Sequence, residues 1–291
     1  MLVLGFPENL KQAQKLSEAL DCDLADIKIH RFPDGESLVT LPEELPETAV
    51  VFRSLHDPNT KLIELIFALR TARAQGCKRV ILVSPYLCYM RQDKAFQPGQ
   101  AVSQRIIAAL LDDCVDHLIT VDPHLHRISD LGEVFSHCNA ITLSAAPLLG
   151  QYLGQNGIDA LLVAPDEEAL QWVEMVAEAS GLDFVVASKQ RISDREVKIA
   201  LPAHNYQGRK AIIVDDVISS GKTVLEATNQ LHARGVASVG VLCTHALFAP
   251  GAEEVMAASG IDFIVSANAI PHPTNSIDLS PAIADAILTL K

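Results

Sequence analysis

The strongest local pattern in the chain is Ile213-Val-Asp-Asp-Val-Ile-Ser-Ser-Gly-Lys-Thr-Val224. Its apolar beginning predicts the end of a buried strand over Ala211–Val214. The small residues that follow predict a tight turn, and the pattern after them predicts a helix that starts at Lys222 or Thr223. A strand, a turn and a helix in this order are typical of an α/β fold.

The polar residues of this stretch predict a sugar-phosphate site. Backbone N–H groups at a turn and at a helix start attract phosphate, helped by the helix dipole. Paired carboxylates suit sugar hydroxyls, which donate hydrogen bonds to them. A polar turn before an N-capped helix remains the alternative, whereas a P-loop is excluded because Asp216 occupies the place of its first glycine. The residues predicted to bind ribose 5-phosphate are Asp215, Asp216, Ser219, Ser220, Gly221, Lys222 and Thr223.

The rest of the chain continues this alternation of strands and helices. Apolar runs of strand length alternate with helical patterns of about ten to fifteen residues, which favours an α/β fold with parallel sheets. The predicted helices are Glu8–Leu20, Thr60–Gln75, Ala101–Asp113, Pro147–Gln155, Glu167–Ser180, Lys222–Arg234, Gly251–Ser259 and Pro281–Leu290. The predicted core strands are Val50–Arg53, Arg79–Val83, Leu118–Val121, Leu161–Ala164, Phe184–Ala187, Ala211–Val214, Val239–Thr244 and Phe263–Ser266. Ligands of open parallel sheets bind beyond the carboxyl ends of the strands, so we expect the chemistry there.

Two pairs of strands resemble each other and predict a duplicated, doubly wound domain. In each half, a strand that ends in proline precedes a strand that ends in acidic residues: Arg79–Pro85 precedes Leu118–His124, and Ala160–Asp166 precedes Ala211–Val217. We therefore predict a first domain over residues 1–141 and a second over residues 142–277. The C-terminal helix, within residues 278–291, is a candidate for packing back on the first domain.

Length and composition exclude several classes of protein. The 291 residues are enough for two domains, and a net charge of −13 argues against non-specific nucleic-acid binding. No apolar segment reaches the roughly 18 residues of a transmembrane helix, and the start does not resemble a signal peptide, so we expect a cytoplasmic protein without a membrane partner. The six scattered cysteines predict reduced, mostly buried thiols rather than disulfides or a zinc site.

Three further motifs lie in the first predicted domain. Arg31-Phe-Pro-Asp-Gly-Glu36 by itself predicts a turn built on Pro-Asp-Gly. Pro85-Tyr-Leu-Cys-Tyr-Met-Arg-Gln-Asp-Lys94 leads into a loop that is either solvated or binds a nucleotide through its arginine, glutamine and lysine. Val121-Asp-Pro-His-Leu-His126 closes a strand, where a histidine is more often a structural hydrogen-bonding group than a magnesium ligand.

Together these motifs resemble the signature of ribose-phosphate pyrophosphokinases, in that family's order. The family has an Arg-Phe-x-Asp-Gly-Glu loop, a Tyr-x-Arg-Gln-Asp-Lys/Arg loop, an Asp-x-His segment and the phosphoribosyl-pyrophosphate-binding motif quoted first, which it shares with type I phosphoribosyltransferases. The resemblance spans nearly the whole chain and looks closest to archaeal-type members. It implies two domains of the type I phosphoribosyltransferase-like fold and a magnesium-dependent transfer of the terminal diphosphate of ATP to ribose 5-phosphate.

The resemblance also implies roles for individual residues. The implied ATP-binding residues are Phe32, Asp34, Glu36, Arg91, Gln92 and Lys94, of which the first three come from a neighbouring subunit of a homo-oligomer. His124 and Asp166 are the implied ligands of Mg²⁺. Lys189 and Arg191 are the implied catalytic residues, in a basic loop that closes over the transferring group.

One residue departs from the family's pattern in a place that matters for activity. Glu168 stands in the diphosphate loop, where the family usually has glycine, and its charge would repel a diphosphate. Asp166 and the two glutamates after it equally suit the cap of the next helix. Two alternatives therefore stay open: a catalytically silent homologue that regulates an active partner, which Glu168 favours, and a type I phosphoribosyltransferase, which the ATP loops disfavour.

Overall fold

The computed structural model describes residues 1–125, 128, 130–191 and 197–290, with the backbone alone for residues 189–191 and 197–198. The chain divides into two compact units, one of Met1–Leu143 with Ser280–Lys291 and one of Ser144–Leu279. The described residues of each unit form a parallel sheet of six strands and a separate two-stranded hairpin, with helices packed around them. The predicted fold class, α/β with two duplicated doubly wound domains, is confirmed.

The first unit holds the first half of the chain and the last helix. Its sheet strands are β1 (Leu2–Gly5), β2 (Asp23–Asp26), β5 (Thr48–Phe52), β6 (Arg79–Val83), β7 (His117–Val121) and β8 (Asn139–Leu143). They are ordered β2-β1-β5-β6-β7-β8, and β3 (Lys28–Arg31) pairs with β4 (Ser37–Thr40) in the antiparallel hairpin. The helices are α1 (Leu10–Ala19), α2 (Pro58–Ala74), α3 (Ser103–Asp112) and α8 (Ser280–Leu288), and α8 packs against α1 and β8.

The second unit repeats this plan. Its sheet strands are β9 (Leu161–Ala164), β10 (Phe184–Val186), β13 (Lys210–Ile218), β14 (Ser238–Ala246), β15 (Phe263–Ala267) and β16 (Asn275–Ile277), ordered β10-β9-β13-β14-β15-β16. The antiparallel hairpin consists of β11 (Ser188–Arg191) and β12 (Val197–Ala200). The helices are α4 (Ala146–Gln155), α5 (Leu170–Ser180), α6 (Lys222–Ala233) and α7 (Ala252–Ala257).

Each unit has its own hydrophobic core between the sheet and its helices. Central strands such as β9, with the sequence Leu-Leu-Val-Ala, are buried at every position, as expected for parallel strands covered on both faces. All six cysteines are free thiols, and five of them are buried, as predicted for most of them. Among the described residues, no helix is long and apolar enough to cross a bilayer.

The two units correspond strand for strand, but not as the repeat in the sequence predicts. β6 and β7 are the fourth and fifth strands of their sheet, whereas β9 and β13 are the second and third. The counterparts of β9 and β13 are therefore β1 and β5, and the predicted equivalence was wrong. Short apolar runs look alike in every buried parallel strand, so their likeness does not identify a position in the sheet.

Two local corrections bear on the site. β13 does not end at Val214, because its ladder with β14 continues to the pair Ile218–Ala246. The carboxylates after Val214 thus belong to the strand itself rather than to a following loop. The two hairpins were not predicted as strands, since β3, β4, β11 and β12 are only four residues long and rich in polar residues.

Candidate functional site

The acidic pair on β13 lies at the centre of the second sheet. Asp216 is buried, with 1% of the residue exposed. The backbone N–H of Asp216 donates to Asp215 Oδ1 at 2.9 Å. Burial, together with the nearby charges of Asp216 and Asp166, raises the pKa of Asp215 well above its usual value. Three carboxylates from two adjacent strand ends therefore repel one another, and a group that donates hydrogen bonds or carries positive charge would stabilise them.

The turn after β13 has the geometry of an anion site. Gly221 adopts the left-handed conformation, with φ of 71°, and α6 begins directly after it, at one of the two predicted positions. Gly221 occupies the N-cap position and has no side chain to cap the first N–H groups of α6. Those N–H groups can therefore receive a phosphate, and the helix dipole favours negative charge there.

The backbone of this turn is held in place by the loop after β14. The N–H groups of Leu247 and Phe248 both donate to the carbonyl of Ile218, each at 3.0 Å, and that of Ala249 donates to Ser219 at 2.9 Å. A Cβ on Gly221 would lie 2.8 Å from the sulfur of Met256, so a larger residue would disturb the turn. Ser220 and Lys222 are exposed, whereas Ser219 and Thr223 are partly buried.

Asp166 caps the short 3-10 helix Glu167–Ala169 that follows β9. Its Oδ1 accepts the N–H groups of Glu168, at 3.1 Å, and of Ala169, at 3.3 Å. This confirms the capping role that the sequence offered as an alternative for Asp166. Glu168 itself is exposed. The cap orients the Asp166 carboxylate at the strand end, beside the acidic pair of β13.

In the first unit, three predicted ATP residues lie together at the tip of the β3–β4 hairpin. The tip is a tight turn in which Phe32 N–H donates to Glu36 O and Gly35 N–H donates to Phe32 O, at 2.8 and 2.9 Å. Gly35 has φ of 93°, and Asp34 Oδ1 accepts the N–H of Glu36 at 3.2 Å. The predicted turn is thus present. Phe32 is 42% exposed, which presents an aromatic face outward from the hairpin.

The other predicted ATP residues occupy the loop between β6 and α3. Gln92 Oε1 accepts the hydroxyl of Ser103 at 2.8 Å, so this side chain also orders the start of α3. Arg91 and Lys94 are exposed, and Lys94 Nζ lies 5.1 Å from the centre of the Phe96 ring. This loop follows the fourth strand of the sheet, whereas the hairpin follows the edge strand β2.

His124 follows the next strand, β7, two residues after a tight backbone corner. Asp122 has φ of 39° and is buried, and its N–H donates to Leu143 O at 2.8 Å. His124 is partly buried. Since β6 and β7 are neighbours, the loop of Arg91 and the segment of His124 leave the same edge of the sheet.

Two parts of the chain match known protein families. Residues 1–114 match the N-terminal domain of ribose phosphate pyrophosphokinase, and residues 186–289 match the phosphoribosyl synthetase-associated domain. The ribose-phosphate pyrophosphokinase of Methanopyrus kandleri is 36% identical over 293 residues, covering 100% of this chain and 99% of that protein. The chain belongs to the ribose-phosphate pyrophosphokinase family.

Two more similarities place the chain within this family. Ribose-phosphate pyrophosphokinase 2 of Archaeoglobus fulgidus is 33% identical, covering 99% of this chain and 100% of that protein. Both organisms are archaea, in agreement with the predicted archaeal-type resemblance. The crystal structure of phosphoribosylpyrophosphate synthetase from Mycobacterium smegmatis matches with a TM-score of 0.83 at 24% identity, covering 99% of this chain and 97% of that chain, and shows the same fold.

The carboxylates of the second unit are oxygen ligands of the kind that magnesium prefers, but they do not form a complete metal site by themselves. Within the described ranges, no three histidine, cysteine or acidic side chains form a group that could hold a metal. Magnesium prefers oxygen ligands and is commonly bound by one or two carboxylates, substrate phosphates and water. Asp166 and the acidic pair of β13 offer such oxygens, whereas His124 belongs to the first unit.

The predicted catalytic residues lie on the hairpin of the second unit. Lys189 and Arg191 belong to β11, which pairs with β12 in antiparallel register. Their side chains lie outside the described part of the chain, so their role stays a prediction. The position of this hairpin in the chain, after β10 and before β13, matches that of the β3–β4 hairpin in the first unit.

A buried ionic cluster at the ends of β1 and β5 was not predicted from the sequence. Arg53, 1% exposed, donates from Nη2 to Glu64 Oε2 at 2.6 Å and from Nε to Glu8 Oε1 at 2.8 Å. Its guanidinium also lies 3.8 Å above the Phe6 ring and donates to the carbonyl of Lys61 at 2.9 Å. Glu64 interrupts the apolar run Leu62–Leu65 of α2. A charged residue within an apolar run is rarely buried without a partner, so this position could have indicated a buried ion pair.

Proposed function

We propose that this chain is a ribose-phosphate diphosphokinase, which transfers the β,γ-diphosphate of ATP to O1 of ribose 5-phosphate and yields 5-phosphoribosyl 1-pyrophosphate and AMP. The observation that carries the proposal is the acidic pair Asp215 and Asp216 near the end of β13, followed by a turn held by backbone hydrogen bonds and a helix start with glycine at its N-cap. Carboxylates for ribose hydroxyls and N–H groups for a phosphate thus lie a few residues apart, in a chain whose family is named for this substrate and product chemistry.

The reaction needs little covalent help from the protein. O1 of the ribose forms a bond to the β-phosphorus, the bond from that phosphorus to the α-phosphate oxygen breaks, AMP leaves, and the O1 proton is released. The turn at residues 219–223 would hold the 5-phosphate, and the carboxylates of Asp215 and Asp216 would orient the ribose ring by accepting its hydroxyl hydrogens. Positioning of this kind lowers the barrier by removing the entropic cost of bringing the reactants together.

Positive charge must offset the charge that spreads over the transferring diphosphate. Bound Mg²⁺ would supply part of it, with Asp166 and His124 as the proposed ligands. Lys189 and Arg191 would supply the rest from the β11–β12 hairpin, which would also exclude water. Glu168 is exposed, so its charge acts on the diphosphate through solvent.

ATP would bind at the ends of β6 and β7, through Arg91, Gln92 and Lys94. The β3–β4 hairpin leaves the sheet from its edge strand, so we propose that Phe32, Asp34 and Glu36 serve the ATP site of a neighbouring subunit in a homo-oligomer. Mixing a Phe32→Ala variant with an Asp216→Asn variant tests this. Activity of the mixture above the sum of the two variants measured separately supports shared sites, and no such gain after subunit exchange contradicts them.

The test of the proposed function is an assay of the purified chain with ATP, magnesium and ribose 5-phosphate. We expect AMP and phosphoribosyl pyrophosphate to form in equal amounts. The alternative, a catalytically silent homologue that regulates an active partner, is favoured by Glu168 and predicts neither product. A Glu168→Gly variant sharpens the result, because activity that appears only in that variant identifies the glutamate as the cause of silence. We retain the cytoplasm as the proposed location.

A further inference from the structure

The ends of β1 and β5 are the first unit's counterpart of the acidic site in the second. β1 pairs with Ala49 of β5 as β9 pairs with Ala211 of β13, so the two alanines are equivalent. Four residues further along, the first unit has Arg53 where the second has Asp215. A cavity of about 650 Å³ opens at this end of the sheet, and Arg53 lines it together with Arg31 of the hairpin.

The charged side chains at this end of the sheet are paired with other groups of the protein. Arg53 already donates to two carboxylates and a carbonyl, and it lies flat on the Phe6 ring. Glu64, 0% exposed, in turn accepts the hydroxyl of Ser37 at 3.0 Å and Nη2 of Arg31 at 3.4 Å. One buried carboxylate thus joins the end of β5, the helix α2 and both strands of the β3–β4 hairpin.

The register of the hairpin explains why this contact determines its orientation. Arg31 pairs with Ser37, and Ile29 pairs with Val39 two residues along the same face. Ile29 and Val39 pack against the core of the unit, so this face is the inner one. A hairpin of two four-residue strands is only marginally stable by itself. Its inner face has one apolar pair and one polar pair, and the polar pair, bound by Glu64, lies nearest the tip.

We propose that Glu64 is a positioning residue for ATP, which fixes the base of the β3–β4 hairpin so that Phe32, Asp34 and Glu36 are presented in one orientation. This rests on the proposed function, because it assumes that the hairpin tip contacts ATP. We call the contacts of Glu64 with Ser37 and Arg31 the anchor. Loss of the anchor lowers the fraction of molecules in which the hairpin has the orientation that binds ATP, and the apparent affinity for ATP falls by the same factor. Binding of ribose 5-phosphate in the second unit does not depend on the hairpin.

The experiment compares Glu64→Gln and Ser37→Ala with Glu47→Gln, a control that removes another carboxylate of the first unit, one ion-paired with Lys78 on the surface. Loss of hydrogen bonds to a charged group predicts that KM for ATP rises about tenfold in Glu64→Gln and about threefold in Ser37→Ala. We expect kcat and KM for ribose 5-phosphate to stay within about twofold of wild type in all three.

Hydrogen exchange of the hairpin amides, residues 28–40, gives a readout that does not require activity. We expect faster exchange there in Glu64→Gln and Ser37→Ala, and wild-type exchange in Glu47→Gln. Unchanged exchange in folded Ser37→Ala and Glu64→Gln overturns the anchor, and faster exchange with unchanged KM for ATP overturns its role toward ATP. If Glu64→Gln does not fold, Ser37→Ala decides, because it keeps the buried ion pair. A wild-type protein that forms no AMP refutes the proposed function, while the exchange data still decide the anchor.

Discussion

The two units share a sheet order and a hairpin at the same point of the chain. Near the carboxyl ends of their second and third strands, however, they carry side chains of opposite charge. Asp166 follows β9, and Asp215 and Asp216 lie in the last part of β13; burial and the charges of the other two carboxylates raise the pKa of Asp215. The corresponding end of β5 carries Arg53, bound to Glu8 and Glu64. One scaffold can therefore bring like charges together in one copy and pair opposite charges internally in the other.

The largest expected effect concerns the two hairpins. Lys189→Ala, in the hairpin of the second unit, is predicted to lower kcat about 10²- to 10³-fold, because a positive charge aimed at the transferring diphosphate is lost. KM for ribose 5-phosphate is predicted to change little. Lys28→Ala, which removes an exposed lysine from the hairpin of the first unit, is the matched control and is expected to retain wild-type kcat. Steady-state kinetics decides, and equal kcat in the two variants would refute the role of Lys189.

Replacing an acidic residue of β13 should lower kcat/KM for ribose 5-phosphate more than replacing the equivalent residue after β5. Asp216→Asn is predicted to lower kcat/KM for ribose 5-phosphate about ten- to a hundredfold, because a hydrogen bond to a charged acceptor is weakened. The equivalent residue on β5 is Ser54, five residues after Ala49, and Ser54→Ala is expected to change this ratio by no more than about twofold. Similar losses in both variants would contradict the division of roles between the units.

For the free energy of unfolding, we expect the larger effect in the first unit. Arg53→Ala is predicted to cost about 3–5 kcal/mol, because it leaves the buried Glu64 without its partner. Arg209→Ala, which breaks a partly exposed pair with Asp183 in the second unit, is predicted to cost about 0–1 kcal/mol. Urea denaturation measures both. A cost for Arg53→Ala no larger than that for Arg209→Ala would show that the cluster contributes little to the fold.

The smallest effect is a pH dependence in the first unit. Burial lowers the pKa of Lys61 from 10.5 to about 8. Between these two values the unfolded chain binds more protons than the folded one, so this residue makes the free energy of unfolding rise with pH across that window. Lys61→Met should reduce the rise, whereas Lys11→Met, at an exposed position, should leave it unchanged. Urea midpoints between pH 7 and 10 test this, and equal slopes in all three proteins would contradict it.

Local patterns predicted the strand, the turn and the helix start of the candidate site in the second unit well. The apolar run into β13, the turn and the start of α6 were all read from adjacent residues, since turn chemistry and helix starts depend on a few neighbours. The same reasoning found the turn of Phe32–Glu36 but not the strands on either side of it. Those strands are held by contacts to α2 and the core rather than by their own composition.

The order of the helices, the principal sheet strands and the motifs of the family could all be predicted from the sequence, because each depends on a run of adjacent residues. The equivalence of strands and the pairing of charges became known from the folded chain alone. Arg53 reaches Glu8 across 45 positions of the chain and Glu64 across 11, and the first contact exists because β1 lies beside β5 in the sheet. Charges at strand ends are paired by the order of the sheet, and that order follows from burying every strand at once.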